Sequence, residues 1–379
     1  MPEAASADMH RGPELRALTS VRGIAAWFVV LFHIRFAIAG LPDSARGLLA
    51  KGYLAVDFFF LLSGFVIWLS WGDRLHRERW RAVPGFLRKR IARIWPLHLV
   101  MLALTVLLAL TLVATGRAEP DNYPFAQLPL HIQLLQNWGF TERLTWNDPS
   151  WSISAEFGAY LLFPLLALAV DWRRWPSWAV VTSIAMLCGL LHLIMASFGA
   201  ITLNGAIPRL GLLRCLVEFA AGTAICALWV RWKDAPAIPA AFAALAAACI
   251  AMLWLLGLAE TLVVPALFAA LLLLLALTAG MKHNPLDLPA LHYLGEISYA
   301  TYLGHFMLWV VFKLVFISDP RNVSLPLIVL FLLLVLLSSI ALYHGVERPA
   351  QRWVNKKFLP GTGRWQPKAD GGGGPATQP

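Results

Sequence analysis

Four of the ionisable side chains inside the long apolar stretches of the sequence, where a charge is costly, are candidates for chemistry. They are His33, Asp57, Glu156 and His305. Ionisable groups at membrane depth usually mark a pathway or a site. A buried neutral histidine can accept a proton near pH 7, so His33 is a candidate general base. Each of the four also has a structural explanation: a hydrogen bond between helices or, for Asp57, a solvated helix start.

Arginines accompany the same stretches. Arg22 lies eleven residues before His33, which is roughly 16 Å along a helix and nearly on the same face. Arg90 and Arg93 are three residues apart at the start of another apolar stretch, so they also share a helix face. Guanidinium groups bind phosphates well, and this cluster is a candidate anion site. The alternative is that these charges set topology or contact lipid headgroups.

Two further polar pairs have structural explanations. Ser63 and Gly64 lie inside an apolar stretch, where small residues allow close helix packing. Arg214 and Glu218 are four residues apart, so we expect them to pair along one helix.

The sequence contains no metal-ligand spacing, phosphate-binding glycine loop or Gly-x-Ser-x-Gly elbow. Its four cysteines form no Cys-x-x-Cys pair, which predicts neither a disulfide framework nor a metal site.

The apolar stretches define the class of protein that must position these groups. Hydrophobic residues make up 59% of the 379 residues and charged residues 14%, whereas a soluble domain is nearer half apolar and a quarter charged. A helix of about 20 apolar residues spans a bilayer and satisfies its own backbone there. We therefore predict an all-α polytopic membrane protein with about ten transmembrane helices in one bundle. The predicted spans are 19–40, 54–71, 94–115, 151–170, 178–199, 209–230, 236–256, 260–280, 296–317 and 323–345.

The basic residues predict the orientation of these spans. The net charge is +10, and most Lys and Arg residues lie between spans on alternate sides. The segment 72–93 carries eight of them, whereas 116–150 carries two against four acids. Positive charge collects on the cytoplasmic side, so an even number of spans places both termini in the cytoplasm. The charge is thus a topology signal and predicts no nucleic-acid partner.

The domain organisation follows from the spans. We expect a cytoplasmic segment over 1–18, a transmembrane domain over 19–350 and a disordered, glycine-rich cytoplasmic tail over 351–379. The first apolar stretch has no convincing cleavage site, so we expect it to be retained as a signal anchor. Asp148 before Pro149 resembles a helix N-cap, which predicts that the fourth spanning helix starts there.

Five short motifs follow one another along the predicted spans. They are Arg22 with His33, Val56–Phe65 containing Ser63-Gly64, Arg90-Ile-Ala-Arg93, Trp151-Ser-Ile-Ser-Ala-Glu156, and Leu294–His305 containing Gly-Glu-Ile-Ser-Tyr. Together they resemble the motifs of acyltransferase family 3, the O-antigen acetylase-like membrane acyltransferases. The resemblance covers about 15–350. The chain departs from the family pattern where a second acid, an aromatic residue and a proline are often found, and carries Phe157, Ala159 and Phe306-Met307 there.

This resemblance implies a function. The family moves an acyl group, usually acetyl, from cytosolic acyl-coenzyme A (acyl-CoA) to a hydroxyl of a carbohydrate or other acceptor. It therefore implies a multi-pass O-acyltransferase of the bacterial inner membrane that acts on O-antigen, lipopolysaccharide, exopolysaccharide or a similar glycolipid. Acyl-CoA would be a co-substrate, with no permanently bound cofactor and no metal. A macrolide-type acceptor stays open.

The resemblance also implies roles for individual residues. His33 would be the general base or a transient acyl carrier, oriented by Glu156 or Asp57. The residues implied in donor binding are Arg22, Ser63, Arg90 and Arg93. The residues implied on the acceptor side, or in support of it, are Trp151, Ser152, Ser154, Tyr160 and His305.

Two other functions fit a ten-span protein. A transporter or flippase of a lipid-linked glycan would share the spans and the buried charges, although the internal repeats common in transporters are not evident. A structural or regulatory membrane subunit would need neither His33 nor Glu156 at membrane depth. Specific binding and slow hydrolysis of acyl-CoA would distinguish the acyltransferase from both.

Overall fold

A computed structural model describes residues 15–279, 281–282 and 284–358. The described chain is built from α-helices joined by short loops and single helical turns, and one isolated bridge joins Ile38 and Val323. The helices are α1 (Arg16–Ile34), α2 (Asp43–Leu49), α3 (Ala55–Glu78), α4 (Val83–Ala114), α5 (Leu128–Ile132), α6 (Ser150–Ala169), α7 (Ser177–Ser197), α8 (Ile207–Trp232), α9 (Ala237–Leu255), α10 (Glu260–Thr278), α11 (Pro289–Glu296), α12 (Ser298–Phe316), α13 (Leu325–Leu342) and α14 (Arg348–Phe358).

The long helices correspond to the predicted spans. Within the described ranges, nine helical segments are long and apolar enough to cross a membrane. One of them, Asp43–Ala114, contains both α3 and α4, which meet at Arg79. Arg79 has a φ of 54°, a left-handed conformation that ends α3. Counted separately, α3 and α4 bring the number of spanning helices to the predicted ten, and the all-α polytopic fold is confirmed.

Two predicted boundaries differ from the structure. Helix α6 begins at Ser150 with Pro149 at its N-cap position and no side-chain cap, so the predicted cap by Asp148 is wrong. Helix α14 extends to Phe358, so the first part of the tail expected to be disordered is helical. The rest of that tail, 359–379, and most of the N-terminal segment lie outside the described residues.

Glycines allow the central helices to touch backbone to backbone. A Cβ atom on Gly64 of α3 would overlap the carbonyl of Phe219 in α8, and one on Gly222 of α8 would overlap the carbonyl of Leu61. A Cβ atom on Gly295 of α11 would likewise overlap the backbone of α1. Such close approach is how small residues hold membrane helices together. The packing explanation of Gly64 is therefore confirmed, and the contacts fix α1, α3, α8 and α11 relative to one another.

Candidate active site

A cavity of about 150 Å³ lies between α1, α3, α4, α6 and α12. It is called the central cavity below. Seven of the twelve site residues predicted from the sequence line it, and α12 adds three that were not singled out. The predicted ones are Arg22, Ser63, Arg90, Arg93, Ser152, Glu156 and Tyr160, and the added ones are Ser298, Tyr299 and Tyr302. Phe59 and Phe60 are among its apolar walls.

The position of Arg22 in the central cavity follows from the contact between α1 and α11. Its Nε donates to Ser298 Oγ at 2.9 Å, and its Nη2 donates to the carbonyl of Gly295 at 2.7 Å. The residue after it, Gly23, lies against the backbone of Gly295. Two arginines of α4 also line the cavity. The guanidinium of Arg90 lies 5.9 Å from the Tyr160 ring centroid, and Arg93 forms an ion pair with Glu347. Three guanidinium groups thus share one small cavity.

Glu156 lines the same cavity and accepts two short hydrogen bonds. Its Oε1 accepts from Ser63 Oγ at 2.5 Å and from Tyr160 OH at 2.6 Å. The interhelical hydrogen bond offered as the structural explanation of Glu156 is therefore present, and the carboxylate also faces a cavity. One turn earlier in α6, Ser152 shares a 2.7 Å hydrogen bond with Tyr302. These contacts join α3, α6 and α12 around the cavity.

His33 and His305 form a pair. His33 Nδ1 lies 2.9 Å from the carbonyl of Val29 and 3.2 Å from His305 Nε2, while His305 Nδ1 lies 3.1 Å from the carbonyl of Thr301. A carbonyl oxygen only accepts, so both Nδ1 atoms carry the proton in the neutral pair, and His305 Nε2 accepts from His33. This network assigns the tautomers and leaves Nε2 of His33 as its basic nitrogen.

The predicted orienting partners of His33 are wrong. Asp57 binds Arg214 through two parallel hydrogen bonds of 2.6 Å, and Glu156 binds Ser63 and Tyr160. The expected pairing of Arg214 with Glu218 along α8 is also wrong. A guanidinium satisfies a fully buried carboxylate better through a planar two-point contact than through a single contact along its own helix. The Nδ1 atom of His33, which a carboxylate was expected to orient, instead contacts His305 and the Val29 carbonyl.

The histidine pair adjoins the central cavity without lining it. Tyr302, which lines the cavity, lies one turn before His305 in α12, and their ring centroids are 6.2 Å apart. Phe59 packs edge-on against Tyr302 at 5.9 Å. The rings of Phe59 and Tyr302 therefore stand where the cavity approaches the two histidines.

Two of the remaining predicted residues lie near the start of α6 and support the structure. Trp151 packs against Phe60 at 5.9 Å and under Arg214 at 5.4 Å. Ser154 Oγ donates to the carbonyl of Leu134 at 2.7 Å and accepts from the backbone N–H of Asn137 at 3.1 Å. Ser154 thus ties the connection between α4 and α6 to the start of α6.

That connection carries a perturbed acid. Asp148 stands two residues before α6 and is largely enclosed by the connection. Burial raises the pKa of Asp148 to about 6. The group therefore titrates in a range that experiments can reach, and it lies outside the spanning helices.

Sequence reasoning missed Glu347. It lies just after the predicted span 323–345, where polar residues at a membrane edge are expected. Its carboxylate is fully buried and pairs with Arg93, 254 residues away in sequence. Glu347 ends the π-helical turn Tyr343–Glu347 and points inward from it. Such a turn has no reliable sequence signature, so the sequence alone did not predict this contact.

Comparison with known families identifies the domain. The model of the acyltransferase domain of acyltransferase family 3 matches residues 15–344. The chain belongs to this family. The predicted resemblance is therefore confirmed, and the match covers the central cavity and both histidines of the pair.

Two curated proteins resemble parts of this acyltransferase domain. Acyltransferase MdmB of Streptomyces mycarofaciens is 35% identical over 157 residues, which are 40% of this chain and 38% of that protein. Protein 2 in the picA locus of Rhizobium radiobacter is 38% identical over 104 residues, 27% of this chain and 50% of that protein. The matches thus span half or less of each relative. No solved structure matches the chain.

Proposed function

We propose that this protein is a membrane O-acyltransferase that moves an acyl group, acetyl in the first instance, from acyl-CoA to a hydroxyl of a carbohydrate or glycolipid. The observation that carries the proposal is the central cavity, which gathers Arg22, Arg90 and Arg93 beside the pair of His33 and His305. Membership of the acyltransferase family supports the reaction class. The donor, the acceptor and the location in the bacterial inner membrane are parts of the proposal.

Three arginines suit a donor that carries several phosphates. Guanidinium groups bind phosphate oxygens through paired hydrogen bonds, and such contacts are stronger in a poorly hydrated cavity. All three arginines lie at the end of the bundle that the basic segment 72–93 assigns to the cytoplasm. With both termini on the same side, acyl-CoA would enter from the cytosol and direct its thioester arm toward the histidines.

His33 would act as the general base. Its Nε2 takes the proton from the acceptor hydroxyl, and the hydroxyl oxygen attacks the thioester carbonyl. The carbon–sulfur bond then breaks, and the thiolate leaves as free coenzyme A after taking the proton back from His33. During transfer, Nδ1–H of His33 keeps donating to the Val29 carbonyl and to His305, and these acceptors stabilise the imidazolium. Glu156 and Ser63 would fix the wall along which the donor passes.

The acceptor would arrive from the opposite side of the membrane. The connection between α4 and α6 lies there by the charge pattern, and Ser154 and Trp151 anchor α6 beneath it. Ser152 and His305 would line the acceptor's approach from that connection. Tyr160, which lies beside Arg90 and bonds Glu156, would support the donor end of the cavity instead. A lipid-linked sugar, a lipopolysaccharide or an exopolysaccharide unit presents the hydroxyls that such an approach requires.

Release of free coenzyme A tests the proposal. Purified wild type, His33→Ala and His192→Ala would be compared with acetyl-CoA and a crude glycolipid extract. His192 is a suitable control because it lies in α7, bonds Thr261 at 2.7 Å and does not line the cavity. We expect turnover in wild type and His192→Ala, and a loss of roughly 10²–10⁴-fold in His33→Ala.

Two outcomes would contradict it. Full activity of His33→Ala would exclude His33 as the base. Wild-type protein that neither binds nor turns over acetyl-CoA would favour the transporter or flippase of a lipid-linked glycan.

A further inference from the structure

Glu347 is an acid in an unusual place. It ends the π-helical turn Tyr343–Glu347 between α13 and α14, and its side chain is fully buried. Turns of this kind are rare and occur frequently at functional sites. The turn packs against α4, the helix that carries Arg93. The local geometry therefore aims a carboxylate at the helix that supplies two arginines of the central cavity.

The hydrogen bonds of the Glu347 carboxylate go to one of its two oxygens, Oε1. Oε1 accepts from Nη1 of Arg93 and, at 3.3 Å, from Nε2 of Gln351. Oε2 is buried without a hydrogen-bond partner among the described residues. A buried carboxylate of this kind is stable only beside positive charge, which the ion pair with Arg93 supplies.

Arg93 stands between Glu347 and the central cavity. It lines the cavity, whereas Glu347 does not. Its guanidinium lies 5.6 Å from the Tyr299 ring centroid, and Tyr299 OH is itself fixed by a 2.6 Å bond to the Ile94 carbonyl. In the described structure Arg93 gives one donor, Nη1, to a protein acceptor. An arginine has five N–H donors, so the remaining donors are available to a ligand in the cavity.

We propose that Glu347 is a positioning residue that holds Arg93 in the central cavity for contact with a phosphate group of the donor. This inference rests on the proposed use of acyl-CoA. Without Glu347, the long side chain of Arg93 gains rotameric freedom, and solvent competes for its guanidinium. The effect then falls on binding of the phosphorylated part of the donor, while the chemistry at His33 is unchanged.

A donor without phosphates separates this role from a general packing role. The experiment measures coenzyme A release from acetyl-CoA, and thiol release from acetyl-pantetheine, which has the same thioester arm and no phosphate. The full chain would be used as wild type, Glu347→Ala, Glu347→Gln, Arg93→Ala, and the double variant Arg93→Ala with Glu347→Ala. Glu78→Gln is the matched control, because Glu78 forms an exposed ion pair with Arg74 on the same side of the bundle.

The expected result is selective. Glu347→Ala raises KM for acetyl-CoA roughly 10- to 100-fold, the range for hydrogen bonds to charged groups, with kcat little changed. Turnover of acetyl-pantetheine is unaffected. Glu347→Gln falls between wild type and Glu347→Ala, since its amide oxygen still accepts from Arg93. The double variant is no worse than Arg93→Ala, because both changes remove the same interaction.

Three results would overturn the inference. Equal losses with both donors would show that Glu347 acts through packing. A lower KM for acetyl-CoA in Glu347→Ala would show that the carboxylate competes with the donor. Additive effects in the double variant would show that Glu347 and Arg93 act independently. If Glu347→Ala does not fold, the nearly isosteric Glu347→Gln decides the same questions. Absence of turnover in wild type would instead contradict the proposed function.

Discussion

Helices α8 and α9 are consecutive in sequence, and both are long and apolar enough to span a membrane, but they differ in how much of their surface other helices cover. In the most apolar window of each, 72% of residues are buried in α8 and 11% in α9. Helix α8 carries Arg214 and Glu218, whereas α9 has no charged residue. Hydropathy alone predicts both as spans. The difference shows that the buried charges lie on a helix that packs mostly against protein. Helix α8 packs against α3 and α6, which line the central cavity.

The largest expected effect concerns the buried charges of α8. Arg214→Met leaves Asp57 buried without its partner, which should lower the free energy of unfolding by about 3–5 kcal/mol. Thermal unfolding in detergent measures it. Phe242→Leu in α9 is the control, because Phe242 is 68% exposed toward the lipid side and should change stability by less than about 0.5 kcal/mol. Equal effects of the two substitutions would contradict the division between α8 and α9.

The second prediction concerns His305, which is buried in α12. His305→Phe keeps an aromatic ring but removes the acceptor of the His33 Nδ1–H, so kcat should fall roughly 10- to 100-fold with little change in KM for the donor. His305→Gln can still accept through its amide oxygen and should recover part of the loss. If the two variants are equally active, His305 contributes packing alone.

The smallest expected effect lies outside the spans, at Asp148. Burial raises its pKa to about 6, so its contribution to folding is present below its ordinary pKa and is lost as the pH rises toward 6. Asp148→Asn does not titrate. The unfolding free energy of Asp148→Asn relative to wild type, measured by thermal unfolding, should rise from near zero at pH 4 to a plateau above pH 7. The full shift corresponds to about 3 kcal/mol, and partial exposure of Asp148 reduces the expected plateau to about 1–2 kcal/mol. A difference that is independent of pH would contradict this assignment.

The sequence was sufficient for the parts of the molecule that depend on local pattern. Bilayer thickness fixes the length of an apolar stretch, so the spans were predictable, and the family motifs marked most of the central cavity. Contacts between distant helices were not predictable. Arg214 was expected to pair four residues away with Glu218, but it reaches Asp57, 157 residues away. His33 is oriented by a backbone carbonyl and a second histidine, and neither contact leaves a pattern in one helix.

The contact between Asp57 and Arg214 also has a consequence for biogenesis. A charged residue costs about 2.5–3.5 kcal/mol at the centre of an inserting helix and less near its end. Asp57 lies in the first turn of α3, and its ion pair forms only when Arg214 is also in place. The two residues are 157 positions apart, so at about 5–20 residues per second Arg214 is synthesised roughly 8–30 s after Asp57. During that interval α3 carries an unmatched acid. We therefore expect the first turn of α3 to stay at the hydrated membrane surface until α8 arrives and the ion pair closes.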